Sequence, residues 1–140
     1  MYSISILGTE SLEIRLEPEP LGRCVFAKRR FESGELIESC PVIVIPLEQE
    51  PTDPSDVLYS YTFAWGEGYE MSAIVLGYGS LYAHSSHPNA HYLLRHNDLL
   101  IDFVAHRSIE AGEMITINYL QGTSDGTPLW FNPVDADAFS

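Results

Sequence analysis

Basic residues are scarce in this chain. Seven Lys and Arg stand against 20 Asp and Glu, which gives the 140 residues a formal net charge of −13. That sign excludes a surface built to neutralise phosphates, so no direct nucleic-acid binding is expected. It instead draws in cationic partners, with a salt-dependent gain in encounter rate. A lysine-rich protein or peptide has the right sign, although acidity also serves plain solubility. Cysteine is nearly absent too: Cys24 and Cys40 are too few for a disulfide framework or a Cys-rich zinc site, and both read as reduced thiols. No apolar run approaches the ~20 residues of a membrane helix. The opening MYSISILGTESLE has neither a basic n-region nor a small-residue cleavage site. A cytoplasmic protein (nuclear in a eukaryote), not secreted and not membrane-bound, is the expectation.

What is present is apolar residue in quantity. At 45% of the chain it suffices for one core without staples, and the length leaves room for a single domain, 1–140. Short strands separated by turn residues dominate. Leu12–Leu16 alternates apolar and charged residues. Arg23–Lys28 and Leu36–Ile45 are β-rich and flank the turn Glu32-Ser33-Gly34. Pro41 inside the second run predicts an edge or a break there. His91–His96 and Leu99–Val104 form a hairpin through Asn97-Asp98, and Ile115–Tyr119 is a last strand. One helix is predicted at Ser55–Phe63, with Asp53 as N-cap, Pro54 in the first turn, and Val57, Leu58 and Tyr61 on one face. The fold class is mostly β with little helix.

Three segments carry more than composition. They are Leu21–Glu35 (LGRCVFAKRRFESGE), Gly77–Ala90 (GYGSLYAHSSHPNA) and Phe103–Tyr119 (FVAHRSIEAGEMITINY). The first resembles G-x-G-x-F-A followed by a G-E turn. The second resembles R-F-x-N-H-S-C-x-P-N-A, and the third A-x-R-x-I-x-x-G-E-E-[IL]-T-x-x-Y. In this order they resemble the signature of the SET family of protein lysine methyltransferases, over about residues 20–120, and the chain is similar to the short stand-alone SET proteins of bacteria and large viruses. The resemblance implies a β-clip of several small curved sheets with a C-terminal pseudoknot, an exception to the usual avoidance of threaded loops. It would bring His84, Asn89 and Tyr119 together. It also implies S-adenosylmethionine as cofactor, no metal, and a basic, lysine-containing protein as substrate. Short viral members form dimers, so a homodimer belongs to the same set of implications.

Methyl transfer from a sulfonium to an amine is an in-line displacement, in which positioning supplies most of the catalysis. The lysine must be neutral, and with an ordinary pKa near 10.4 its deprotonation at pH 7 costs roughly 4–5 kcal/mol. An apolar, aromatic channel lowers that cost; an acidic one raises it. The resemblance assigns Tyr119 as the catalytic residue, its hydroxyl beside the transferring methyl group. Tyr61, Trp65, Tyr78 and Tyr82 are candidates for the lysine channel. Each reads equally as core packing, Tyr82 first among them. Gly22 and Arg23 should lie under the cofactor, where glycine admits a close backbone approach. His84 matches the His of N-H-S, tied to the adenine pocket in the family. Asn89 shapes the threaded loop and Glu113 holds the knot. Trp130 and Phe131, in the C-terminal segment 121–140, either fold over the cofactor or pack on the sheet.

Two positions depart from the family pattern. Ala83 replaces the asparagine of N-H-S, whose side chain contacts the methionine part of the cofactor in the family. Cys24, at the cofactor-binding segment, replaces the second glycine of G-x-G; its side chain either crowds the cofactor or is tolerated if its backbone stays at negative φ. Ser86 and Met114 are milder replacements. The expected function is therefore S-adenosylmethionine-dependent lysine N-methylation of a protein, with an inactive SET-like module that binds a basic segment as the alternative. His84, His87 and His91 have metal-face spacing only on a helix, which Pro88 forbids.

Overall fold

The structure is a computed structural model that describes residues 4–68, 70–120 and 134–139. Among them ten strands form three sheets. The first sheet is an antiparallel meander of β1 (Ile4–Gly8), β2 (Leu12–Glu17) and β3 (Gly22–Ala27). The largest has the order β5-β6-β4-β9-β8, from β4 (Leu36–Ile45), β5 (Phe63–Trp65), β6 (Met71–Val75), β8 (Ala90–Arg95) and β9 (Leu100–Ala105). The third pairs β7 (Ala83–His84) with β10 (Thr116–Ile117) in parallel.

The alternation in β2 does what its period requires: Leu12 and Ile14 are buried, while Leu16 runs past the core edge and pairs with Ile4. Pro41 neither ends β4 nor makes it an edge strand. It sits where β4 changes partners, since Leu36–Pro41 pairs with β9 and Val42–Ile45 with β6. A missing N–H is harmless at such a junction. Phe103 on β9 anchors the core, with the rings of Tyr82, Tyr92 and Phe63 at 4.5, 6.2 and 6.3 Å from its own.

Among the described residues, helix is confined to single 3-10 turns. The helix expected at Ser55–Phe63 shrinks to Val57–Ser60, which buries no side chain. Without an apolar face to pack, so short a segment does not sustain an α-helix. Asp53 instead accepts the Ser55 N–H at 2.9 Å as a local turn. The β8–β9 hairpin forms, but its turn is wider than two residues, spanning His96–Asp98 and Leu99 at φ 56°. β1, β5, β6 and β7 are strands that the sequence does not announce, and the last strand is shorter than Ile115–Tyr119.

The final motif runs beside β3 before it reaches the middle one. Ala27 and Ile115 hydrogen-bond Glu113 and Val25 across β3, after which β10 lies beside β7. Asn89, 2% exposed, pins the two motifs together. Its Nδ2 donates to the Met114 carbonyl at 2.8 Å and to Glu113 Oε2 at 3.2 Å, and its Oδ1 accepts the Thr116 N–H at 2.8 Å. Burial works against the Glu113 carboxylate, but donors on Glu110, Asn89 and Arg107 outweigh it and hold its pKa below the ordinary value. These bonds tie the second motif to the third, an arrangement consistent with the pseudoknot expected there. No helix among the described residues is long and apolar enough to cross a membrane.

Candidate active site

One pocket of about 250 Å³ gathers residues from all three motifs: Leu21, Arg23 and Cys24 from the first, Ala83 and His84 from the second, Tyr119 from the third. Ser60 and Tyr61 of the 3-10 turn, Ser80 and Leu81, Pro20 and Val134 complete its wall. The parallel β7–β10 pair makes this possible, because it sets segments far apart in sequence side by side.

Tyr119 is fixed at both ends. Its backbone N–H donates to His84 Nδ1 at 3.1 Å, and its hydroxyl donates to the Tyr82 carbonyl at 2.6 Å. Burial first, then the neighbouring Cys24 and Tyr61, push its pKa far above that of an ordinary phenol. The hydroxyl thus stays protonated and keeps acceptor capacity for a neighbouring donor. His84 accepts through Nδ1, so its own proton sits on Nε2. Burial, against the pull of Asp135 and Asp137, holds its pKa below the ordinary value and keeps the ring neutral. The two rings stack obliquely at 5.0 Å.

Gly22 has φ +68°, and a Cβ built there would meet nothing within 4 Å. The backbone at that point faces open space and needs glycine for its conformation. Cys24 is not among the residues at positive φ. Its buried Sγ turns back toward the Leu21 and Gly22 carbonyls at 3.9 and 3.8 Å, so the side chain is accommodated without strain. Burial, then Glu17, raise its thiol to about 11. Ala83 packs with Cys24, Phe26 and Ala136 and presents only a methyl group to the pocket.

Of the four aromatic channel candidates, Tyr61 alone lines the pocket. Trp65 is buried on β5 with its ring against His96 at 4.9 Å. Tyr82 is 1% exposed, its hydroxyl donating to Glu38 Oε1 at 2.7 Å. Tyr78 packs against the main core. Trp130 and Phe131 lie outside the described residues. His84, His87 and His91 do not converge: His84 faces Tyr119, His87 approaches Asp137 at 3.2 Å, and His91 meets His106 edge-on at 5.6 Å.

Two features escaped the sequence. One is Glu38, which nothing in the motifs marks. The other is a clamp on Val134–Phe139. Ser85 and Ser86 donate to Asp137 and Asp135, each at 2.8 Å, and so bring Val134 to the pocket. The signal was available in Ser85-Ser86 facing a late Asp-x-Asp, but only a contact between segments so far apart in sequence gives it meaning.

Comparison with known proteins agrees with this geometry. The SET domain model matches residues 22–120. The histone-lysine N-methyltransferase, H3 lysine-37 specific, of Schizosaccharomyces pombe is 34% identical over 121 residues, covering 86% of this chain and 76% of that protein. A Plasmodium falciparum protein described as a putative histone methyltransferase superposes with a TM-score of 0.64 at 28% identity, over 89% of this chain and 100% of the other. For the fold alone, a polycomb repressive complex 2 chain bound to S-adenosylmethionine gives 0.63 at 21% identity, over 80% of this chain and 15% of that one. With its three motifs gathered at one pocket and a family model matched over most of its length, the chain belongs to the SET-domain family of protein lysine methyltransferases.

Proposed function

We propose that the chain methylates a lysine side chain of a basic protein, with S-adenosylmethionine as methyl donor, and that histone tails are the first substrates to try. The observation that carries this reading is Tyr119, held by its backbone N–H and by its hydroxyl, at a pocket shared by all three motifs. A cofactor of this kind supplies, when bound, a methyl group on a positively charged sulfur. The residues present fit such a group. Gly22 leaves its side of the backbone open, Arg23 offers a cation for a carboxylate, and His84 presents a neutral ring. Tyr119 donates its proton to the Tyr82 carbonyl, and its oxygen can accept from the lysine amine. A buried, protonated phenol is no general base, so the lysine loses its proton to water. Turnover therefore rises with pH through the neutral range as the neutral amine becomes more populated. Substrate recruitment rests on the net charge of −13, and the encounter rate falls as salt is added.

Ala83 favours a second reading, a module that binds basic segments without catalysis, because it offers no polar side chain to the cofactor. Calorimetric titration with S-adenosylmethionine and with its demethylated product separates the two. Saturable binding supports the enzyme; no heat and no thermal stabilisation at high ligand supports the binder.

A further inference from the structure

Glu38 lies half-buried on the central strand β4, just past the bulge in its pairing with β9. Its two oxygens are used separately. Oε1 accepts the Tyr82 hydroxyl at 2.7 Å, and Oε2 accepts the Tyr78 backbone N–H at 3.1 Å. These two donors bracket the 3-10 turn Gly79–Leu81. The turn is shaped to admit the carboxylate: at Gly77, φ +64°, a Cβ would stand 2.6 Å from Oε2. Gly79 likewise leaves room that the Val75 side chain fills. At the far end of the same segment, the Tyr82 carbonyl accepts the Tyr119 hydroxyl at 2.6 Å. One short run, Tyr78–Tyr82, is therefore held by Glu38 on one side and holds the Tyr119 hydroxyl on the other.

We infer that Glu38 is a positioning residue for methyl transfer, setting the Tyr119 hydroxyl through the Tyr78–Tyr82 segment without touching either substrate. This rests on the assignment of Tyr119 as catalytic. A carboxylate suits the task for a chemical reason. Both donors need an acceptor, and bonds to an ionised acceptor are roughly twice as strong as neutral ones. An amide has one acceptor oxygen, so Glu38→Gln leaves either the Tyr78 N–H or the Tyr82 hydroxyl facing an NH₂ group. The segment then shifts, and the Tyr82 carbonyl shifts with it. Tyr119 has a second tether, the bond from its backbone N–H to His84, so its backbone stays anchored while its ring and hydroxyl follow the displaced Tyr82 carbonyl.

The test uses the full chain carrying Glu38→Gln, with three readouts. Since a misplacement of about 1 Å costs on the order of 10²-fold in rate, kcat should fall about ten- to a hundredfold. KM for a histone peptide and the calorimetric affinity for S-adenosylmethionine should stay within a few-fold of the parent. In ¹³C-tyrosine NMR, the Tyr119 ring signal, identified by its loss in Tyr119→Phe, should shift or broaden while that of half-buried Tyr59, outside the Tyr78–Tyr82 segment, stays. A parent-like kcat with an unmoved Tyr119 signal overturns the inference. So does a kcat loss matched by an equal loss of folded protein. Should the parent itself transfer no methyl group, the proposed function fails, and the Tyr119 signal alone decides the role of Glu38. If Glu38→Gln does not fold, Tyr82→Phe removes one donor and leaves the other clamp, and an unmoved Tyr119 signal there overturns the inference equally.

Discussion

Asn89 gives the sharpest stability prediction, because its partners are backbone groups with nowhere else to turn. Asn89→Ala leaves the Met114 carbonyl and the Thr116 N–H without their side-chain partner at a site 2% exposed. Each buried orphan costs about 1–3 kcal/mol, so the variant should lose about 2–5 kcal/mol. That is a large part of the roughly 5–15 kcal/mol a domain has in total. For this chain length about 3–4 °C accompanies each kcal/mol, so Tm should fall by about 6–20 °C in a calorimetric scan. Asn89→Asp discriminates further. Its carboxylate still accepts from Thr116 but is set against the Met114 carbonyl and the Glu113 carboxylate. A buried charge left without a partner costs about 3–5 kcal/mol, so Asp should be worse than Ala at pH 7. On acidification the new carboxyl protonates and can donate to Met114, so the gap between the two variants should close. Taking the difference cancels the remaining titrating groups. Asn89→Asp as stable as the parent, or a gap that does not narrow with acid, would refute the reasoning.

Other outcomes follow from the same site. Ala83→Asn should tighten S-adenosylmethionine binding about ten- to a hundredfold, the equivalent of a charge-assisted hydrogen bond of about 1.5–3 kcal/mol; equal affinities by calorimetry would remove Ala83 from the cofactor site. Stability should fall as pH drops below about 7, because the unfolded His84 protonates near its ordinary ~6.5 while the folded ring resists. His91 is depressed in the same way, by burial first and His106 second, and the lowered Asp135 and Glu113 carboxyls extend the loss further into acid. His84→Asn, which keeps an acceptor near the Nδ1 position, should flatten the part of the pH profile that belongs to His84 in thermal scans. With its thiol raised to about 11 and 1% exposed, Cys24 should resist iodoacetamide in the native protein near neutral pH and react once the chain is denatured, as read by mass spectrometry.

The sequence carried the site better than the sheets. Gly22, Arg23, Cys24, Ala83, His84 and Tyr119 lie in three ordered motifs, and the structure sets them at or beside one pocket. Strands β5 and β6 went unread because FAW and MSAIV are short and lack clean alternation, so only pairing with β4 makes them strands. The helix at Ser55–Phe63 failed for the opposite reason. Its local signals were good, but tertiary packing gave it no apolar surface to cover. Pro41 reads as a break in isolation and is tolerated because β4 exchanges partners beside it. Among the aromatics, residue type could not separate a channel from a core: Tyr61 reaches the pocket, whereas Trp65 and Tyr82 are buried among other rings. Glu38 was invisible because its function is a contact with a turn 40 residues away.

The central claim is methyl transfer at Tyr119, and the direct measurement is mass spectrometry of a histone H3 peptide array incubated with the protein and S-adenosylmethionine. The account predicts methyl groups added to lysine by the parent. It predicts a loss of about two orders of magnitude or more in Tyr119→Phe, which removes the hydroxyl and its bond to Tyr82. Cofactor affinity should be retained in that variant. Lysine methylation by Tyr119→Phe at the parent's rate, or no transfer by a parent that binds the cofactor and the peptides, would contradict it.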